Sequence, residues 1–174
     1  LIKHMEEGER VYERILDPPL SRPDVCHWLN VEGVPTINAA VEASTLAERR
    51  ILLEQDDFIR THIRPEDTLI VSVGGNDVAM APSGWMILHL LCLVLLPLWS
   101  LRWNPSFWAL VRLFRDDTAD YIRRLCTEHT PSRILVCTIY FPCTVPDTQC
   151  WARKLLKLCG YARNPAHLQS IVRA

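Results

Sequence analysis

The chain has 174 residues, the length of one domain, because two domains of this total length would each have a thin core. Its 19 basic and 20 acidic side chains give a formal net charge of −1, so the sequence shows no basic surface of the kind that binds nucleic acid. A composition of 49% hydrophobic and 22% charged residues is typical of a folded globular protein and excludes a disordered chain.

Helical spacing of apolar residues predicts a first helix over residues 3–16, which Pro18 and Pro19 end. A short apolar stretch over residues 33–38 then predicts a strand. Thr45 and Glu48 form a capping-box pattern, which predicts the start of a helix that runs to Pro65 with Leu52, Ile59 and Ile63 on one face.

Two apolar runs, residues 68–73 and 134–140, have the unbroken hydrophobic character of strands that are buried on both faces of a parallel sheet. Between them, Asn104 as N-cap and Pro105 at the first position predict a helix whose core residues are Val111, Phe114, Tyr121 and Leu125. Two more helices are predicted, over residues 147–160 and from Asn164-Pro165 onward. The alternation of helices and strands predicts a three-layer α/β/α sandwich in a single domain, residues 1–174.

The segment from Trp85 to Leu101 is apolar over 17 residues, contains His89 and is interrupted by Pro97. A membrane-spanning helix here would separate the two predicted strands onto opposite sides of a bilayer, where they could not share a sheet. We therefore expect a core or cap helix, with an apolar wall beside an acyl-binding site as the functional interpretation and membrane contact as the remaining alternative.

The first buried run ends in Gly74, Gly75, Asn76 and Asp77. Ligands of parallel α/β sheets bind beyond the carboxyl ends of the strands, which is where this turn lies. The glycines permit a tight turn, the Asn76 amide could donate to an oxyanion, and Asp77 could hold the turn backbone. The same four residue types are also what plain turns prefer.

This turn resembles the third sequence block, Gly-x-Asn-Asp, of the SGNH (GDSL-type) hydrolase superfamily. The segment from Asn38 to Thr45 is similar to the second block, in which a strand ends in Asn and a later Gly donates its backbone N–H to the oxyanion. That Gly position falls on Ala43, which departs from the pattern but keeps an N–H. The resemblance implies a parallel, flavodoxin-like sheet and an oxyanion hole of Asn76 and Ala43, with Gly74, Gly75, Asp77 and Asn38 as structural support.

The other two blocks of that family supply the nucleophilic Ser and the Asp-x-x-His base, and neither is recognised within these residues. The helical start at Leu1 resembles the Leu that follows the Ser, so we expect the Ser before Leu1 and the base after Ala174. The domain is thus interpreted as incomplete and inactive by itself. Truncation would also leave a gap between the strand near Ile37 and the one at residues 68–73.

Other residues with catalytic chemistry lack a supporting pattern. Asp24 and His27 have the Asp-x-x-His spacing but lie where the family has no base, so the spacing is interpreted as a loop coincidence. The remaining candidates, interpreted as structural or surface residues, are His89, His129, His167, Ser72, Ser83 and Ser106. Seven cysteines without a C-x-x-C pair predict neither a disulfide framework nor a metal site and favour reduced thiols in a cytoplasmic protein.

Two functions follow from these observations. The resemblance implies serine acyl transfer on a small ester or acylated substrate, which needs no metal or organic cofactor. The alternative is a non-catalytic α/β module that binds a ligand or partner without turnover.

Overall fold

The computed structural model of the chain describes residues 23–41, 44–79, 83–95, 97–137 and 165–174. The chain divides into two compact units, Leu1–Ala43 and Ser44–Ala174. Four predicted features lie wholly or partly outside the described residues: the helix over residues 3–16, the donor position Ala43, residues 138–140 of the second predicted strand and the helix over residues 147–160.

Helix α1, Val25–Val31, is the described helix of the first unit. The Asp24 side chain caps it by accepting a hydrogen bond from the His27 backbone N–H at 2.7 Å. Gly33, with φ of +80°, follows the helix, and Val34 N–H donates to the Leu29 carbonyl at 2.9 Å, as in a Schellman ending. The Asp-x-x-His spacing is therefore that of an N-cap and its third helical residue, in a helix rather than in the predicted loop.

The strand predicted over residues 33–38 does not form. The Asn30 side chain occupies both backbone groups of Thr36, because Oδ1 accepts from Thr36 N at 2.9 Å and Nδ2 donates to Thr36 O at 3.1 Å. Ile37 is 72% exposed, so burial does not favour a strand either. Local amide bonds thus replace the ladder that the apolar pattern predicted.

A parallel pair of strands forms the sheet of the second unit. Strand β1, Thr68–Val71, pairs with β2, Arg133–Val136, and Leu69 lies opposite Ile134. The predicted parallel pairing is confirmed, and with the surrounding helices it makes this unit α/β in class. The described part of the chain contributes two strands to this sheet.

The predicted burial of both strands on both faces is wrong for both. In β1, Leu69 and Val71 are buried but Thr68 and Ile70 are exposed, and in β2 Ile134, Leu135 and Val136 are 38–52% exposed. The described helices pack on the face of β1 that carries Leu69 and Val71. An unbroken apolar run therefore did not indicate two covered faces here.

The helix predicted from Thr45 to Pro65 is two helices. The capping box is confirmed, since Glu48 Oε2 accepts from Thr45 N at 2.8 Å and Glu48 N donates to Thr45 Oγ1 at 3.2 Å. It begins a single 3-10 turn, Glu48–Arg50. Helix α2, Glu54–His62, then starts anew because the Asp56 carboxylate accepts from the Leu53 N–H at 2.9 Å.

A long helical stretch follows the predicted start. Asn104 Oδ1 accepts from Ser106 N at 2.9 Å and Pro105 takes the first position, so the predicted cap is confirmed. The stretch contains α5, Pro105–Val111, a π-helical segment, Arg112–Asp117, and α6, Thr118–Leu125. Because the π segment shifts the helical phase, Leu113 is buried with Tyr121 and Leu125, while Val111 and Phe114 are half-buried.

Two apolar cores form in the second unit. The first lies between the sheet, α2 and α6 and contains Leu46, Ile63, Leu69, Val71, Leu113, Tyr121 and Leu125. The second contains Leu93, Leu101, Phe107 and Ile171. It joins α4, Gly84–Leu95, a 3-10 helix, Leu98–Trp103, helix α5, and α7, Pro165–Arg173.

Helix α7 confirms the helix predicted from Asn164-Pro165. In the apolar segment from Trp85 to Leu101, helix α4 covers the residues up to Leu95 and has 12 residues in all. Among the described residues, no helix is long and apolar enough to cross a membrane.

The turn after β1 depends on Gly74. This residue has φ of +87°, and a Cβ added to it would lie 2.7 Å from Phe114 Cε1 on the π-helical segment. Gly75, which begins α3, Gly75–Ala79, has nothing within 4 Å of the position of an added Cβ. The first glycine of the turn is therefore required by both backbone and packing, and the second by neither.

We expect Gly74→Ala to lower the free energy of unfolding by at least about 2 kcal/mol, because a left-handed backbone and the Phe114 ring both oppose the methyl group. Gly75→Ala is the matched control and should change stability by less than about 0.5 kcal/mol. Urea denaturation of the two variants measures the difference. Equal stabilities would contradict this account of the turn.

Candidate functional site at the carboxyl end of β1

The turn after β1 is joined to the segment that begins at Ser44. The Asp77 carboxylate, which is buried, accepts hydrogen bonds from Leu46 N at 2.8 Å and Ala47 N at 3.2 Å. The sequence predicts that Asp77 holds the backbone of its own turn. Its partners are instead about 30 positions away in sequence, so Asp77 holds a distant segment. The carboxyl end of β1 and the amino end of the Glu48–Arg50 turn are thereby fixed together.

Asn76 points to the same segment. Its Nδ2 donates to the Ser44 backbone carbonyl at 3.0 Å. A side-chain amide has two N–H donors, so this bond leaves a second donor for a ligand oxygen. Ser44 follows Ala43 directly in sequence, but Ala43 is outside the described residues, and the pairing of Asn76 with Ala43 stays a prediction.

Asn38, the other predicted support residue, is braced within the first unit. Its Nδ2 donates to Asp24 Oδ2, and its Oδ1 accepts from Ala40 N at 2.8 Å. The Asp24 carboxylate therefore serves both the α1 cap and Asn38, which gives it a structural use in the first unit.

A buried ion pair is hydrogen-bonded to Ser44. Arg49 and Asp56 are in contact, and Asp56 is fully buried. The Tyr121 hydroxyl donates to Asp56 Oδ1 at 2.7 Å, and Arg49 Nη2 donates to Ser44 Oγ at 3.0 Å. The pair thus links α2 and α6 to the residue that Asn76 contacts.

A second arginine closes this network. Arg124 Nη1 donates to the Arg49 and Arg50 carbonyls, both at 2.8 Å. The guanidinium carbons of Arg49 and Arg124 each lie 5.9 Å from the centre of the Tyr121 ring, within cation–π range. Arg49 Nε is buried without a hydrogen-bond partner in the described part of the chain, so the pair is not fully satisfied.

The environment of Tyr121 has an electrostatic consequence. Burial, and then the hydrogen bond to Asp56, raise the pKa of Tyr121 well above its ordinary value of 10.0. The hydroxyl therefore stays protonated and remains a donor to Asp56. The sequence predicted Tyr121 as a core residue but carried no signal for its hydroxyl bond, because its partner is 65 positions away.

The structure also brings together His89 and Ser106, for which the sequence predicted no catalytic role. His89 Nδ1 lies 3.0 Å from Ser106 Oγ, and the Trp85 ring packs edge-on against the imidazole at 4.9 Å. Ser106 is only 5% exposed, and no carboxylate among the described residues contacts His89. The contact ties α4 to α5.

Other reactive groups are scattered. Four cysteines, Cys26, Cys92, Cys126 and Cys137, have free thiols, and burial raises the pKa of the Cys126 thiol. Within the described ranges, no three His, Cys, Asp or Glu side chains lie close enough to hold a metal ion. An open pocket lined by residues 61–65 and His129 lies where the chain enters β1 and β2, at the edge opposite Asn76.

Truncation of the buried carboxylate is expected to be costly. Asp56→Ala should lower the free energy of unfolding by about 3–5 kcal/mol, because Arg49 would remain buried without its counter-charge. Asp57→Ala is the matched control, since the neighbouring carboxylate is more than half exposed, and should cost less than about 0.5 kcal/mol. Denaturant titration compares the two, and a similar small loss in both would contradict a buried pair.

Tyr121 should also make stability dependent on pH. Because its pKa is raised in the folded protein, it contributes stability that is present below pH 10 and is lost as the pH rises toward the folded-state pKa. From about pH 10 to pH 12, the free energy of unfolding should fall more steeply in the parent than in Tyr121→Phe. Denaturation at a series of pH values measures both slopes, and parallel slopes would show that Tyr121 ionises as in the unfolded chain.

Comparison of the chain with protein families, curated proteins and solved structures finds no match. The chemistry of the residues around Asn76 is therefore the basis for assigning a function.

Proposed function

We propose that this chain is the oxyanion-binding part of an SGNH-type ester hydrolase. The observation that carries the proposal is the bond from Asn76 Nδ2 to the Ser44 carbonyl. It joins the Gly-Gly-Asn-Asp turn to the end of the segment that resembles the second family block. Ser44, near the end of the segment similar to the second block, is thus bonded to the turn that is similar to the third block, and this bond supports the proposal.

The proposed reaction is acyl transfer in two steps. A serine oxygen attacks the ester carbonyl, its proton passes to a histidine, and the carbonyl oxygen becomes an oxyanion. Collapse of the intermediate expels the alcohol, which takes the proton from histidine, and water then releases the acyl group by the same route. The serine and histidine belong, in this proposal, to sequence that flanks the 174 residues.

Asn76 and the Ala43 N–H have the role of holding the oxyanion. A donor in such a hole acts mainly in the transition state, when charge has developed on the oxygen. The bond to Ser44 orients the Asn76 amide in advance, and the Asp77 carboxylate holds the neighbouring Leu46 and Ala47.

The proposal also includes the finer fold, a three-layer sandwich with a flavodoxin-like sheet. No metal or organic cofactor enters this reaction.

A non-catalytic binding module is the second candidate. The specific observation in its favour is that Asn76 already has a structural partner in Ser44 O, which by itself would account for an asparagine in this turn. A small acylated or anionic ligand could then bind the second amide hydrogen without being turned over.

Replacement of Asn76 separates the two candidates. In the protein with its flanking sequence, Asn76→Ala should lower kcat for a short-chain p-nitrophenyl ester by about 10²–10³ and leave KM within about threefold, because the donor acts in the transition state. Asn104→Ala is the control, since this asparagine caps helix α5, which contributes Phe107 to the second core. It should lower thermal stability and leave kcat unchanged.

The proposal fails if Asn76→Ala keeps full turnover, or if the parent protein has no esterase activity. A fluorophosphonate probe gives an independent readout of the nucleophile. It should label the protein with its flanking sequence and leave the 174-residue chain unlabelled. Labelling of the short chain at Ser106 would make the His89 contact the reactive pair and overturn the assignment.

A further inference from the structure

Six large apolar side chains between residues 85 and 108 stand in solvent. We call them the tryptophan face: Trp85, Leu88, Leu95, Trp99, Trp103 and Trp108. Trp99 is 83% exposed and Trp103 is 87% exposed. Single exposed apolar residues are ordinary, but four exposed tryptophans within 24 positions of sequence are not, and such surfaces mark sites of interaction.

Part of the tryptophan face lies on helix α4, which is held in place by its neighbours. Trp85, Leu88 and Leu95 recur on one side of α4 at helical spacing, while Leu90 and Leu93 on the other side are buried. Two side-chain hydrogen bonds hold helix α4 to its neighbours: one joins His89 to Ser106 on α5, and the other joins His167 on α7 to the Leu93 carbonyl. Helix α4 is therefore apolar on both sides, and the described residues cover only the side that carries Leu90 and Leu93, which makes the other side a candidate interaction surface.

The charge around the face selects the partner. Residues 83–111 contain one formally charged side chain, Arg102, and no Asp or Glu. Arg102 is exposed and lies between Trp99 and Trp103 in the sequence, and no acidic side chain among the described residues forms an ion pair with it. Trp108 Nε1 donates to the Arg102 carbonyl at 2.9 Å, which brings a third indole beside the arginine. This stretch of sequence therefore combines one exposed cation with several exposed indole rings.

We propose that the tryptophan face docks on the surface of an anionic phospholipid bilayer. Indole rings favour the headgroup level of a membrane, where the ring is apolar and the N–H is wet, and a cation beside them is attracted by anionic headgroups. Helix α4 has 12 residues, too few to span, and lies in the interface in this arrangement. The proposal is independent of ester hydrolysis.

Vesicle binding by the full chain tests the proposal. We expect cosedimentation with phosphatidylcholine vesicles that contain roughly 30% phosphatidylglycerol, with a blue shift of tryptophan fluorescence, and weaker binding to pure phosphatidylcholine. Trp99→Ser/Trp103→Ser should weaken partitioning by about tenfold per ring, because each ring loses its burial. Trp28→Ser is the matched control, since Trp28 is an exposed tryptophan of the other unit.

The charge has its own control. Arg102→Glu should abolish the preference for anionic vesicles, whereas Arg64→Glu, at an exposed arginine away from the face, should preserve it. The proposal is overturned if the chain binds neither vesicle type. It is also overturned if Trp28→Ser weakens partitioning as much as Trp99→Ser/Trp103→Ser does. If sedimentation instead shows self-association that Trp99→Ser/Trp103→Ser removes, without vesicle binding, the face is an interface between copies and the membrane proposal is wrong.

Discussion

The buried contact between Arg49 and Asp56 is the constraint on which the site depends. Two charges withdrawn from water are tolerated only when each is held by its partner and by further hydrogen bonds. Here Asp56 also accepts from Tyr121 and from the Leu53 amide, and Arg49 also donates to Ser44. The segment from Ser44 to Leu53 can therefore adopt few other arrangements, and the Ser44 carbonyl to which Asn76 donates is fixed in position.

The long helical stretch connects this network with the second core. Phe107 in α5 packs in the second core, and Tyr121 in α6 packs in the first. The π segment between them changes the helical phase, and Thr118 Oγ1 donates to the Leu113 carbonyl at 3.1 Å within that region. The same segment presents Phe114 to Gly74, so the turn that carries Asn76 is shaped by the helix as well as by the ion pair. The carboxyl end of β1 is therefore held both by packing against the helix and by hydrogen bonds to the Ser44 segment.

Local signals in the sequence were sufficient where the structure is determined locally. The Thr45–Glu48 capping box, the Asn104-Pro105 helix start and the parallel pairing of two β-branched runs are all present. The strand over residues 33–38 failed because one side chain, Asn30, took the backbone bonds of Thr36. The single helix from Thr45 failed because Asp56 caps a second one.

Long-range contacts of polar residues were beyond the sequence patterns. Arg49 and Asp56 look like an exposed helix face, and Tyr121 is their partner only in three dimensions. Asp77 was expected to hold its own turn but holds Leu46 and Ala47. The prediction that Asn76 donates to an oxyanion came from the family resemblance together with its place after a strand. The bond from Asn76 to Ser44 could not have been predicted from either.

A structure of the protein with the flanking sequence that the proposal assigns to it, after reaction with a fluorophosphonate, tests the central claim most directly. The phosphonyl oxygen mimics the oxyanion of the tetrahedral intermediate. The account predicts that this oxygen lies within hydrogen-bond distance, about 2.7–3.1 Å, of Asn76 Nδ2 while the amide keeps its bond to Ser44. A phosphonyl oxygen bound by other donors, with Asn76 in contact with Ser44 alone, would contradict it.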